Sequence, residues 1–130
     1  MKSVVVKILG KERHLVFTGG AMFQVRDVFG GTKQLLEAVY PDTKEGLKAL
    51  CQAACILAEQ GELGRRALGY DKTPMLSCDV LEATISPAEL VELKAAIPKA
   101  IELGYGREIV PENNEIDLGL AELNQKKTKN

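Results

Sequence analysis

The chain has no Trp, one His, and only three Cys, three Tyr and three Phe in 130 residues. With a single His, no nucleophile has a base placed beside it, and the Ser residues sit where helix caps are expected. An odd number of cysteines, without a secretory leader pattern, points away from a disulfide framework. Cys51 and Cys55 are one helical turn apart, no C-x-x-C occurs, and His14 falls in a strand pattern. A closed zinc site needs about four ligands, so the three thiols read as small buried hydrophobes. No apolar run approaches the ~20 residues that span a bilayer. No G-x-G-x-x-G or G-x-x-x-x-G-K-[ST] is present, which removes the common nucleotide loops. No catalytic residue, cofactor site or metal site emerges, and an enzyme is the class least expected.

Apolar residues make up 45% of the chain and charged residues 27%, values ordinary for a globular protein. The length fits one domain, which should bury about two-thirds of its unfolded surface. Net charge is −1, but it is unevenly spread. Residues 1–48 carry eight Lys/Arg against five Asp/Glu, and residues 79–123 carry three against ten. A nucleic-acid binder concentrates positive charge on one face, so no nucleic-acid partner is expected. The asymmetry suits self-association, a basic protein partner, or ordinary solvated helix faces. Met1-Lys2-Ser3 runs directly into a strand pattern, not a secretory apolar core, and the expected location is the cytosol.

Val4, Val6 and Ile8 alternate with Val5, Lys7 and Leu9, which predicts the first strand of a hairpin. A Gly10-Lys11 turn, with Gly at the first central position, would pair Val6 with Leu15 and Val4 with Phe17 and set Lys7 opposite His14. His14 then reads as a surface strand residue. After Thr18 the period changes to three and four. A helix is expected with Met22, Val25 and Phe29 inward, closed by Gly30-Gly31. Thr32 should cap a short helix carrying Leu35, Leu36 and Val39. It should stop at Tyr40-Pro41, because the residue before Pro is driven from the helical region.

The longest signal runs from Thr43 to Asp71. Asp42 and Glu45 form a plausible capping pair for it. Leu47, Leu50, Cys51, Ala54, Leu57 and Ala58 make one apolar stripe, widened by Ala49, Ala53 and Ile56. Gly61 and Gly64 are expected to interrupt this helix near Arg65-Arg66, which suit the negative end of its dipole. A G-x-x-G also occurs in an RNA-clamping loop, but Glu62 and Leu63 between the glycines do not attract phosphate. Ser77 can cap a short helix through Val80 and Leu81. Ser86-Pro87-Ala88-Glu89 is the strongest helix start in the chain. That helix continues through Leu90, Leu93, Ile97 and Ile101 to Gly104, and Pro98 should kink it.

From Tyr105 the chain becomes polar, and Pro111 to Asn114 read as linker. Ile116, Leu120 and Leu123 then recur at helical spacing before a Lys-rich end. Chain ends are poorly ordered unless tied down. The stripe therefore reads either as a docking segment, for its own domain, a sister subunit or a partner, or as a last core helix. The expected fold class is α+β and mainly α. An N-terminal β-hairpin (1–18) precedes a bundle of about five helices (19–104). A single globular domain covers 1–110, followed by a polar tail (111–130) with room for one short helix.

The order of features resembles the tail assembly chaperones of long-tailed bacteriophages and prophages. The resemblance rests on Phe17-Thr18-Gly19-Gly20-Ala21-Met22, Val28-Phe29-Gly30, Glu45-Gly46-Leu47, and Ala58 to Leu63. It continues with Arg65-Arg66, Gly69-Tyr70-Asp71, Ile85-Ser86-Pro87, Gly104 with Arg107-Glu108-Ile109, and Glu115 to Leu118 ahead of lysines. It covers nearly the whole chain. It implies a cytoplasmic protein of the bacterial host, absent from the mature virion, that coats the long tape measure protein while tail tube subunits assemble around it. It also implies self-association and, in many members, a frameshifted longer form, for which the Lys126–Lys129 ending offers a place. Such binding needs many weak apolar contacts. Grooves beside the central helix, at Leu47, Leu50, Ala54 and Leu57, or the tail stripe at Ile116, Leu120 and Leu123, are the expected contact residues. A structural tail completion or terminator protein, and a helical adaptor or regulator unrelated to phage, are the competing classes.

Overall fold

The computed structural model describes residues 2–106. Two antiparallel strands, β1 (Val4–Ile8) and β2 (Lys11–Leu15), precede five helices. These are α1 (Gly19–Phe29), α2 (Thr32–Val39), α3 (Lys44–Ala67), α4 (Cys78–Thr84) and α5 (Pro87–Gly104). The expected class is therefore observed: mainly α, with a small N-terminal sheet. The tail from 111 onward lies outside the described residues.

Helix α3 is the centre. It packs against β2 and against each of the other four helices, while β1 packs on α5. Of its expected stripe, Ala49, Leu50, Cys51, Ala53, Ala54, Leu57 and Ala58 are buried, while Leu47 and Ile56 are half-buried. Small side chains there let neighbours come close, and Leu15, Leu35, Leu81, Leu93 and Ile97 fill the space between elements.

The hairpin register differs from the expected one. Val4 pairs with Leu15, Val6 with Arg13 and Ile8 with Lys11, so the strands are slid by two residues. Phe17 lies beyond β2 and does not pair with Val4. An even slip leaves every side chain on its own face, so Val6, Ile8 and Leu15 still point into the core. The turn is Leu9-Gly10, with φ of 52° and 80°. Positive φ at both central positions is the type I′ requirement, matched to strand twist. The observed register sets Lys7 opposite Glu12, a cross-strand pair of opposite charge in place of Lys7 opposite His14.

Two caps also moved. Gly31, not Thr32, is the N-cap of α2, and Thr32 is its first residue. Thr43, not Asp42, caps α3, accepting the Gly46 N–H at 3.0 Å. Asp42 is instead paired with Lys94 of α5. α2 does end before Pro41, but Tyr40 keeps helical angles (φ −71°, ψ −43°). The stop comes from Pro41, which has no N–H to continue the ladder. Ser77 caps α4 as expected. The Ser86–Glu89 capping box is complete, with bonds of 3.1 and 2.9 Å. Pro98 lies inside α5 without ending it.

Gly61 and Gly64 do not interrupt α3, which stays helical through Ala67. Gly61 has a different task. A Cβ built there would lie 1.7 Å from the carbonyl oxygen of His14, closer than any real contact. One turn earlier, the Val16 N–H donates to the Leu57 carbonyl at 3.2 Å. The hairpin thus touches the helix backbone directly.

Three outcomes follow, each measurable by urea unfolding. Gly61→Ala should destabilise the chain by about 1–3 kcal/mol through overpacking, despite a helix-propensity gain of about 1 kcal/mol. Gly19→Ala, where a Cβ meets nothing within 4 Å, should be neutral or mildly stabilising. Leu9→Asn should raise stability by roughly 0.5–1 kcal/mol, since Asn tolerates the left-handed turn position better. A loss of stability there would mean that Leu9 contacts outweigh its strain.

Candidate functional site: an apolar groove across α2, α3 and α5

Three adjoining hollows form one groove. The first, about 950 Å³, is lined by Thr32, Lys33, Leu36, Glu37, Tyr40 and Tyr105. The second, about 530 Å³, shares Leu36 and Tyr40 with it and adds Val39 and Pro98. The third, about 490 Å³, shares Pro41, Asp42 and Lys94 with the second and adds Leu47, Leu90 and Val91. The walls are mostly apolar and the rim is charged. Tyr40 is 81% exposed, Val91 71% and Tyr105 47%.

Local structure explains why these residues are there. Val91 lies off the Leu90–Leu93–Ile97–Ile101 stripe that buries α5, so it faces outward. Tyr40 is the last turn of α2, left outside the core by the chain reversal at Pro41. Tyr105 follows α5, and Phe17 and Thr32 are among the residues that hold it. Its ring centroid is 5.3 Å from that of Phe17, and its hydroxyl is 3.1 Å from Thr32 Oγ1. Lys94 crosses the middle of the groove, donating to Asp42 and, at 2.9 Å, to the Tyr40 carbonyl. It ties α5 to the α2–α3 connection.

Of the expected contact residues, only Leu47 is a half-buried groove residue. Leu50 touches the groove floor but is fully buried, and Ala54 and Leu57 are fully buried in the core. The stripe of α3 is consumed by the other elements, so those three have no surface to offer. Ile116, Leu120 and Leu123 lie outside the described residues. Leu36, Tyr40, Leu90, Val91 and Tyr105 were not anticipated. The usable signal was apolar residues off the helical stripe, beside a Pro or at a helix end.

The titratable groups are built for structure. Burial and the neighbouring Cys78 push the Cys51 thiol up to about 11 and the Cys55 thiol up to about 12. Both are neutral at physiological pH, poor as nucleophiles or metal ligands. Among the described residues, no group of three His, Cys, Asp or Glu could hold a metal ion. No helix described is long and apolar enough to cross a membrane. His14 Nδ1 lies 3.2 Å from Ser3 Oγ.

Glu62 is the one buried charged residue among those described. Its carboxylate takes the Arg65 and Arg66 guanidinium groups at 2.9 Å each and the Thr73 N–H at 2.7 Å. Arg66 also donates to the Thr73 carbonyl at 3.0 Å. The two arginines expected at the helix end are thus clamps for the loop after α3. Burial opposes the Glu62 charge most strongly. The Thr73 amide and the two arginines together outweigh it, and the carboxyl titrates below its ordinary value.

Compared with protein families, curated proteins and solved structures, the chain matches none.

A depressed carboxyl stabilises the fold above its unfolded value of about 4.3, and that contribution is lost as pH falls through the folded value. Glu62→Gln should therefore cost about 1.5–3 kcal/mol at pH 7, the range for hydrogen bonds to charged groups. It should also flatten the acid side of the stability–pH curve without abolishing it, because Glu89 titrates low as well. Unfolding midpoints measured from pH 3 to 7 check this; equal slopes for both chains would remove Glu62 from the network.

Proposed function

We propose that this chain is a tail assembly chaperone of a bacteriophage or prophage, which binds and solubilises the tape measure protein during tail morphogenesis. The observation that carries the reading is the open apolar groove across α2, α3 and α5. Beside it stands the resemblance in feature order that runs from Phe17 to the lysine-rich end. A tape measure protein presents long amphipathic helices before the tube encloses it. An apolar helix face laid into a groove is a standard recognition mode, read at spacings of three and four. Leu36, Leu90 and Val91 would take the partner's apolar side chains, and Tyr40 and Tyr105 would supply amphipathic edges. Lys33, Glu37 and Lys44 on the rim keep the groove wettable when empty.

Repeated weak binding along a rod favours several chaperone copies per partner, and the tail tube protein is a secondary partner in this reading. No nucleic acid or membrane takes part, and no bond is made or broken. The protein acts in the host cytoplasm and is left out of the finished virion.

Co-expression with tape measure protein tests this. Leu36→Asp and Val91→Asp should each lower the soluble yield of the partner and weaken binding about tenfold or more. The basis is about 1.5–3 kcal/mol for a fully buried aliphatic side chain and 1.4 kcal/mol per tenfold. Phe23→Asp on the exposed face of α1, outside the groove, should leave the yield unchanged. Unaltered yield with both groove variants would remove the groove from the mechanism, and finding the chain in purified virions would remove the chaperone reading.

A further inference from the structure

Arg13 carries a charge that its own surroundings do not answer. It lies on β2 opposite Val6, on the same inward face as buried Leu15, and is half-buried. Its Nη1 donates to the Pro74 carbonyl in the loop after α3. Its Nε is buried without a hydrogen-bond partner, and the side chain enters no ion pair among the described residues. A desolvated charge with nothing opposite is costly, and native folds pair their buried donors. The unbonded Nε–Nη2 edge is the fork by which an arginine grips two oxygens of one anion side-on.

Arg13 lines a hollow of about 210 Å³ together with Arg65, Thr73, Glu12 and Glu62. We propose that this hollow binds a phosphate ion, held between Arg13 and Arg65. Arg65 makes its bonds to Glu62, the Asp71 carbonyl and Thr73 through Nη1 alone, which leaves its Nη2 for the ion. The Thr73 hydroxyl accepts from Arg65 at 3.4 Å and has its own proton to give. The two acids do not answer Arg13. Glu62 is committed to Arg65, Arg66 and the Thr73 amide. Glu12 is exposed, opposite Lys7 on the neighbouring strand. Three guanidinium groups therefore gather around one buried carboxylate. A tetrahedral ion offers oxygens to Arg13 and Arg65 at once, whereas a planar carboxylate fills one fork only. The Arg13 side chain has a single anchor, at Pro74, so it can turn its shielded Nε to the ion.

The test is thermal unfolding of the full chain in sodium phosphate against sodium chloride of equal ionic strength. Phosphate at about ten times its Kd should raise the midpoint by roughly 4–7 °C over chloride. Arg13→Met keeps the aliphatic stem but removes the charge and the fork, and should abolish the rise. Arg13→Lys keeps the charge without the fork, and should weaken phosphate binding about tenfold. Lys99→Met, on the exposed face of α5 and outside the hollow, should keep the full rise. Circular dichroism verifies the fold of each variant, and line broadening in the phosphorus NMR signal of inorganic phosphate reports binding directly. No rise over chloride, or an equal rise in wild type and both Arg13 variants, would overturn the proposal. Acetate matching phosphate would assign the fork to a carboxylate and overturn it too, as would a rise lost in Lys99→Met, which would mark general charge screening. No partner protein is present, so the outcome is separate from that of the function proposed above.

Discussion

A strand lying directly on a helix backbone is the contact on which the rest of this structure depends. β2 crosses α3 where Gly61 presents no side chain, with a Cβ position 1.7 Å from the His14 carbonyl oxygen. The Val16 N–H reaches the Leu57 carbonyl one turn away. Two other close approaches repeat the device. Gly46 faces the Pro41 carbonyl, and Gly104 faces the Phe17 carbonyl. With the hairpin drawn in this far, the alanine-rich face of α3 can meet its neighbours at short range. The core is then filled by branched aliphatics rather than aromatics, which explains how a chain with so few aromatic residues still packs.

Two carboxylates hold the periphery to that centre. Glu62 draws the loop after α3 onto the helix through Thr73, using the same two arginines that cap the helix electrostatically. Glu89 completes its own capping box with one oxygen and receives the Leu9 N–H of the hairpin turn with the other, at 3.1 Å. In each case a side chain that serves its own helix also fastens a segment distant in sequence. Lys94 does the same between α5 and the α2–α3 connection. Buried or shared charges of this kind set geometry more than they add net stability.

What remains on the outside is the groove. α3 spends its apolar stripe on the core, so the surface available to a partner comes from the flanking elements: the end of α2, the off-stripe face of α5 and Tyr105. This relocates the proposed contact from the centre of the long helix to its edges. It also fits a protein that works by shielding apolar surface, because the walls are apolar while the rim carries both charge signs.

The sequence by itself determined the element order, the helical stripes and the strongest caps. Those depend on local chemistry: periodicity, Ser77 and Ser86 as caps, and Gly30 in the left-handed region. The apolar faces of the hairpin were equally legible, since alternation survives an even register slip. Only the tertiary structure decided the register itself, because Leu9 is held by Glu89, far along the chain. It alone decided that Asp42 leaves its cap for Lys94, that Gly61 is a crossing point and not a helix stop, and that Leu50, Ala54 and Leu57 are core. In each case the deciding neighbour is distant in sequence, and a local pattern shows that a side chain is apolar or charged but not what it will meet.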